Sequence, residues 1–278
     1  MTTSTVLVTG VTGKTGRRLV PLLRAAGHTV REGSRRAATP FDWDDTATWP
    51  AALADIDAVY VVLPDLGSAS TVDQVRSFAR AASAAGVRTA VMVSFPETGG
   101  MDTDVVATTE QQFTDAGLAL TVLRLRWFNQ NFSEDFLTDS VRQGVLRLPA
   151  GSGREAFVDA DDIAEVALAA LTETTRIGRS YDLTGPRSLS FHDIADELSR
   201  ATGRSIRYEP ISTDTYIEEQ QATGVPEEFA QMLAALYNQI GTGALDHTSE
   251  DIDSVLGRPA RDFRDYADAT ATTGVWTE

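Results

Sequence analysis

Thr5-Val6-Leu7-Val8-Thr9-Gly10-Val11-Thr12-Gly13-Lys14-Thr15-Gly16 reads as a buried strand running into a glycine-rich turn. Thr5–Val8 is apolar and bounded by Gly10, the pattern of a strand covered on both faces. Beyond the turn, Leu19, Val20, Leu22, Leu23 and Ala26 fall on one face of a helix that Gly27 stops. Strand, glycine loop and helix form the context in which a GxxGxxG spacing carries meaning. Glycines let the backbone turn tightly and approach a pyrophosphate, while the helix start offers unpaired N–H groups and a partial positive charge. Gly10, Thr12, Gly13, Lys14, Thr15 and Gly16 are therefore the candidate dinucleotide-binding residues of the loop. The GxxxxGK[ST] spacing of a P-loop is absent. Lys14 is the only lysine in the chain, and its position suits either a phosphate contact or a solvated side chain.

The second strand, His28–Gly33, ends in Ser34-Arg35-Arg36. NAD enzymes usually place an acid at this tip, about 20 residues on, to bind the ribose 2′-hydroxyl. Here Ser34 and Arg35 occupy the tip, with Glu32 one step inside, and a 2′-phosphate would be held there through charge-assisted hydrogen bonds. The expected cofactor is NADP(H) in preference to NAD(H).

Further strands are expected at Ile56–Leu63, Val87–Val93, Leu118–Leu123 and Tyr181–Thr184. Helices are expected from residue 72, where Val72, Val75, Phe78, Ala79 and Ala82 are spaced for one, and over 103–116. Doubly apolar strands separated by helices imply a parallel sheet covered on both sides. The expected fold is α/β, a Rossmann-type doubly wound sheet over residues 1–185 with a smaller, mostly helical substrate lobe over 186–278. Residues 127–156 read as irregular and belonging to that lobe. Asp162 is placed as the cap of a helix carrying Ile163, Val166, Ala167, Ala170 and Leu171. Phe229, Met232, Leu233, Leu236, Tyr237 and Ile240 form one packing stripe on a helix that Pro226 starts, and residues 267–278 read as a loosely held tail.

Composition removes several function classes. The chain has 278 residues and no cysteine, which excludes disulfides, thiolate metal sites and cysteine nucleophiles. No apolar run has membrane-helix length, and no signal-peptide pattern opens the chain, so a cytoplasmic location is expected by default. A net charge of −16 argues against nucleic acid and anionic membranes as partners. Residues 1–40 nevertheless carry +6, which suits a local anion site; Arg17, Arg18 and Arg24 also read as an ordinary basic helix face. The partner expected is a small molecule, and a homodimer is an arrangement the sequence leaves open. His28, His192 and His247 are scattered, and no cluster has metal-ligand spacing. Asp159, Asp161 and Asp162 are better explained as a helix start than as a metal site.

TGVTGKTG, SRR, FDWDD (Phe41–Asp45), DAVYVVLP, AGVRTAVMVS, GLALTVLRLRWFNQNF and YDLTGPRSLSF together resemble the NmrA-like group of atypical short-chain dehydrogenase/reductases, over essentially the whole chain. The branch it is most similar to includes ergot-alkaloid-type reductases; bacterial NADPH:quinone reductases are more distant. The resemblance implies that Asp42 and Trp43 lie near the adenine, Leu63 and Pro64 along the cofactor, and Ser94 and Phe95 near the nicotinamide ribose. It places Asn131 at the active-site mouth and Trp127, Phe128 and Phe132 beside the substrate.

The wider superfamily protonates its product with a tyrosine whose pKa a lysine four residues later lowers. The residues four after the six tyrosines are Pro64, Gly185, Ser212, Gln220, Gly241 and Thr270, and none is lysine. In the family a His or Lys often stands four residues before the glutamate matched by Glu110; here that residue is Val106. No catalytic residue is assigned. One reading is hydride transfer to a quinone, imine, iminium or conjugated C=C that needs no enzymic acid. Trp127, Phe128 and Phe132 suit such a planar partner, although aromatic residues also simply pack. The other is a regulatory protein that senses NAD(P) without turnover. A third, an isomerase or dehydratase using the cofactor transiently, is weaker.

Overall fold

The computed structural model describes residues 3–65, 68–96 and 103–277. The first half of the chain runs β1 (Thr5–Thr9), α1 (Gly16–Ala25), β2 (Thr29–Gly33), α2 (Trp49–Leu53), β3 (Ala58–Val61), α3 (Ala69–Ala84), β4 (Thr89–Ser94), α4 (Thr103–Asp115) and β5 (Ala119–Leu125). The second half runs α5 (Thr138–Gln143), β6 (Val145–Leu148), β7 (Arg154–Glu155), α6 (Ala160–Thr172), β8 (Ser180–Leu183), β9 (Leu189–Ser190), α7 (Phe191–Thr202), β10 (Arg207–Pro210), α8 (Thr213–Ala222), α9 (Glu227–Gly241), α10 (Asp251–Leu256) and α11 (Phe263–Ala271).

Six strands pair in parallel in the order β2-β1-β3-β4-β5-β8, giving the Rossmann-type sheet expected. Strand order reverses between β1 and β3, and such a switch point opens a crevice at the carboxyl ends of the strands. Thr9 bridges that crevice's base: its Oγ1 donates to the Tyr60 carbonyl at 3.1 Å and accepts from the Val62 amide at 2.8 Å. One sheet face is covered by α1, α6 and α10, through Leu19, Leu23, Ile163, Val166, Ile252 and Val255. The other is covered by α2, α3 and α4, through Trp49, Leu53, Val75, Phe78 and Phe113. With both faces buried, the strands have no polar side to alternate to, which is why they read as continuous apolar runs.

A third core lies beyond the carboxyl edge. Phe132, Leu146, Phe157, Phe191, Leu198, Tyr208, Tyr237, Phe263 and Trp276 pack there, drawn from both sides of β8 in sequence. Residues 127–156 are more regular than expected. A 3-10 turn (Asn129–Phe132), α5, β6 and β7 occupy the segment, all too short to show a periodicity. β6 pairs with β10 and β7 with β9, so its order comes from partners far along the chain.

Three further expectations need correction. Asp159, not Asp162, caps α6, its side chain accepting from the Asp161 amide at 2.8 Å. Asp162 is wholly buried and instead accepts from Arg258 at 2.8 Å and the Arg261 amide at 2.7 Å. The stripe on α9 is only half packing: Leu233, Tyr237 and Ile240 are buried, but Phe229 and Met232 are 48% and 46% exposed. The tail is held, because the Trp276 indole is buried and its Nε1 donates to the Phe132 carbonyl at 2.7 Å.

Candidate functional site

The glycine loop follows β1 at the switch point. Gly10 has φ +65°, a left-handed conformation that side chains adopt at a cost, and a Cβ there would stand 3.0 Å from Val62 Cβ. A Cβ on Gly16 would overlap the Gly10 carbonyl and stand 2.9 Å from Val11 Cα, so only glycine lets α1 start this close to the loop. The Gly13 amide donates to the Gly10 carbonyl at 2.9 Å and closes the turn. Thr15 precedes α1 without capping it; its Oγ1 accepts from the buried Tyr60 hydroxyl at 3.0 Å, and burial pushes that phenol up. The uncapped helix start and a turn that only glycines can make this tight fit a pyrophosphate.

Ion pairs tie this loop to the segment after β5. Lys14 pairs with Asp135 and lies over the Phe128 ring, Arg17 pairs with Glu134, and Arg18 reaches Glu134 and Asp161 at 2.6 Å each. Arg18 and Arg17 thus act as connectors, beyond an ordinary solvated face.

At the tip of β2 the Ser34 carbonyl accepts from Ala37 at 3.2 Å and Phe41 at 3.0 Å, folding residues 34–41 back on the strand. Glu32 faces α1 and pairs with Arg24 at 2.8 Å, which takes the one nearby acid of the strand away from the tip. Arg35 and Arg36 are exposed, with no ion pair or side-chain hydrogen bond among the described residues. Trp43 packs against Phe41, Trp49 and Phe78, and Asp42 accepts the Trp49 indole N–H through its carbonyl at 2.8 Å. Neither lines the cavity described next.

A cavity of about 380 Å³ opens beside the loop, over the ends of β3, β4 and β5. Of the residues singled out from sequence, it brings together Lys14, Leu63, Pro64, Ser94, Phe95, Trp127, Phe128 and Asn131. Ser94 is 1% exposed, and its hydroxyl donates to Glu110 at 2.6 Å; Glu110 also accepts both guanidinium arms of Arg124, at 3.0 and 3.1 Å. Phe132 does not border the cavity. It has no exposed surface and packs against Phe157 and Phe263, supporting the wall from behind. No tyrosine lines the cavity among the described residues.

Sequence reasoning missed the cavity's back and roof. Phe136, Leu233, Leu236 and Leu245 add apolar surface, and Arg126 and Glu155 lie at the back, both side chains fully buried. Arg126 donates to the Leu245 carbonyl at 3.1 Å and to Asp182 at 3.4 Å, and contacts the His247 ring. His247 Nε2 lies 2.8 Å from Asp182, and the Arg126 guanidinium contacts both nitrogens of the ring. Arg126, Glu155, Asp182 and His247 come from the residue after β5, from β7, from β8 and from the loop after α9, with no local motif to join them. Only the apolar period of α9 signalled any part of the roof.

The NmrA-like family model matches residues 38–270. The chain belongs to the NmrA-like family. It is 32% identical to an NAD(P)H azoreductase of Xenophilus azovorans, over 96% of this chain and 98% of that one. It is 30% identical to an agroclavine dehydrogenase of Claviceps fusiformis, over 94% and 96%. The triphenylmethane reductase of Citrobacter sp., solved with NADP(H), shares the fold at a TM-score of 0.79 with 22% identity, covering 96% of this chain and 99% of that one. Among the described residues no helix is long and apolar enough to cross a membrane, and no cluster of His, Asp and Glu is suited to a metal ion.

Proposed function

We propose that this NmrA-like protein is an NAD(P)H-dependent reductase of a small planar acceptor, a quinone, an imine or iminium, or a conjugated C=C, with NADP(H) preferred. The observation that carries the reading is that the glycine loop at the sheet's switch point, where α/β sheets bind dinucleotides, lies beside an apolar cavity that its Lys14 helps to line. Gly10, Gly13 and Gly16 keep the turn tight so that the backbone can approach a pyrophosphate, and the start of α1 would supply N–H groups to it. Exposed Arg35, unpaired among the described residues, supports a 2′-phosphate contact, as does the engagement of Glu32 with Arg24. Leu63, Pro64, Ser94 and Phe95 border the space that a nicotinamide would enter. When bound, the reduced cofactor supplies a hydride equivalent. Trp127, Phe128 and Phe136 then hold a flat acceptor against it, a contribution through proximity and orientation. The likeness to an NAD(P)H azoreductase and to an agroclavine dehydrogenase supports a nicotinamide-dependent oxidoreductase acting on a small molecule.

The test is steady-state oxidation of NADPH and NADH against a panel of quinones, cyclic imines and iminium salts, beside calorimetry of both dinucleotides. Turnover with one acceptor class and tighter NADPH binding are expected. Dinucleotide binding with no turnover on any acceptor would replace the reductase with a sensor of nicotinamide state.

A further inference from the structure

The two residues of β7 point opposite ways, as strand neighbours do. Arg154 is exposed and pairs with Asp193, whereas Glu155 turns inward to the back of the cavity with no exposed surface. Neither carboxyl oxygen of Glu155 has a hydrogen-bond partner among the described residues. Arg126 Nη1 is 3.7 Å away, too far for a hydrogen bond, and its guanidinium is shared with Leu245, Asp182 and His247. A carboxylate stripped of water and hydrogen bonds is far costlier to bury than the neutral acid.

We propose that Glu155 is the proton donor of this site, a neutral carboxylic acid at the back of the cavity that protonates the oxygen or nitrogen of the acceptor as it is reduced. The inference rests on the reductase reading above. The charged groups that act on Glu155 are Arg126 from the residue after β5, Asp182 from β8 and Asp246 from the loop after α9. Burial is the dominant influence and pushes the Glu155 carboxyl up to about 8; Arg126 and the adjacent Ala156 backbone amide oppose it, while Asp182 and Asp246 add to it. The acid is thus protonated at neutral pH.

In the step, the acceptor gains a hydride equivalent from the reduced dinucleotide, which is oxidised. The O–H bond of Glu155 breaks, and an O–H or N–H bond forms on the acceptor. The resulting carboxylate faces Arg126, which stabilises it until a proton returns through the cavity after the product leaves. An iminium, already cationic, needs no such proton; a quinone or neutral imine does.

Two measurements test the role. Protein labelled with carbon-13 at the glutamate carboxyls is titrated by NMR without cofactor, with Glu155→Gln assigning the signal. A midpoint of about 8 is expected, and one near the ordinary value of 4.5 overturns the proposal. Second, kcat/KM is compared for a neutral acceptor and a permanently cationic N-alkyl iminium. Glu155→Gln is expected to lower the neutral-to-cationic ratio roughly 100-fold, and a ratio unchanged from wild type overturns the proposal. Wild-type protein that turns over neither acceptor overturns the reductase reading and the donor role with it, an outcome distinct from an active enzyme indifferent to Glu155→Gln.

Discussion

Gly16 begins its helix so close to the Gly10 carbonyl that the two residues have no room for a single methyl group between them. Both partners of the clash are backbone, so relief requires the loop or α1 to move. Gly16→Ala is expected to destabilise the protein by about 1–3 kcal/mol, the usual cost of overpacking. It should also weaken dinucleotide binding, because the displaced turn is the cradle itself. Urea denaturation and calorimetry read the two effects; normal binding by a folded variant would remove the loop from the site.

Arg35→Ala should separate the two cofactors. An exposed guanidinium meeting a 2′-phosphate contributes through charge-assisted hydrogen bonds, so a roughly tenfold loss of NADPH affinity is expected, falling with salt. NADH, which lacks that phosphate, should bind as before. Equal losses for both would place the preference elsewhere.

Glu155 ties stability to pH. Its ordinary value is 4.5 and its folded value about 8, so between these the unfolded chain binds fewer protons than the folded one. Stability therefore falls as pH rises through that window and levels off above it, by up to about 1.4 kcal/mol per pH unit. Glu155→Gln lacks this dependence. From pH 5 to pH 7.5 the variant should gain on wild type by on the order of 2–3 kcal/mol in denaturant titrations. Parallel curves would show that the carboxyl is ionised throughout.

Asp162 accounts for two arginines and a backbone amide from the loop before α11. Asp162→Ala leaves the Arg261 amide without its acceptor and the two half-exposed guanidinium groups with Glu165 alone, at a cost of about 1–3 kcal/mol. A drop in Tm of roughly 5 °C is expected for a chain of this size. A change within 2 °C would show that water or Glu165 takes over the role.

The parallel sheet, its flanking helices and the glycine loop were legible because each rests on a local period or spacing. Val6, Leu7 and Val8 declare a doubly buried strand, and Gly10, Gly13 and Gly16 declare a turn. The site was legible only where one motif lies on one strand end, as with Ser94 or Trp127. Glu155 was invisible because its inward direction depends on β7 pairing with β9, 34 residues away at Leu189. Phe132 was misplaced for the converse reason: it adjoins cavity residues in sequence, but the 3-10 turn rotates it into the aromatic core. Trp276 looked like part of a loose end since no pattern announces its contact with Phe132.

Lys14 is the only lysine of this chain, and the fold sets it in the nucleotide loop with its amine against Asp135. An acylating fluorophore of suitable selectivity would therefore mark one internal position, at the point where phosphates are expected. The loop carries its own attachment point for an optical reporter, and occupancy of the cradle becomes measurable as protection of that amine from labelling.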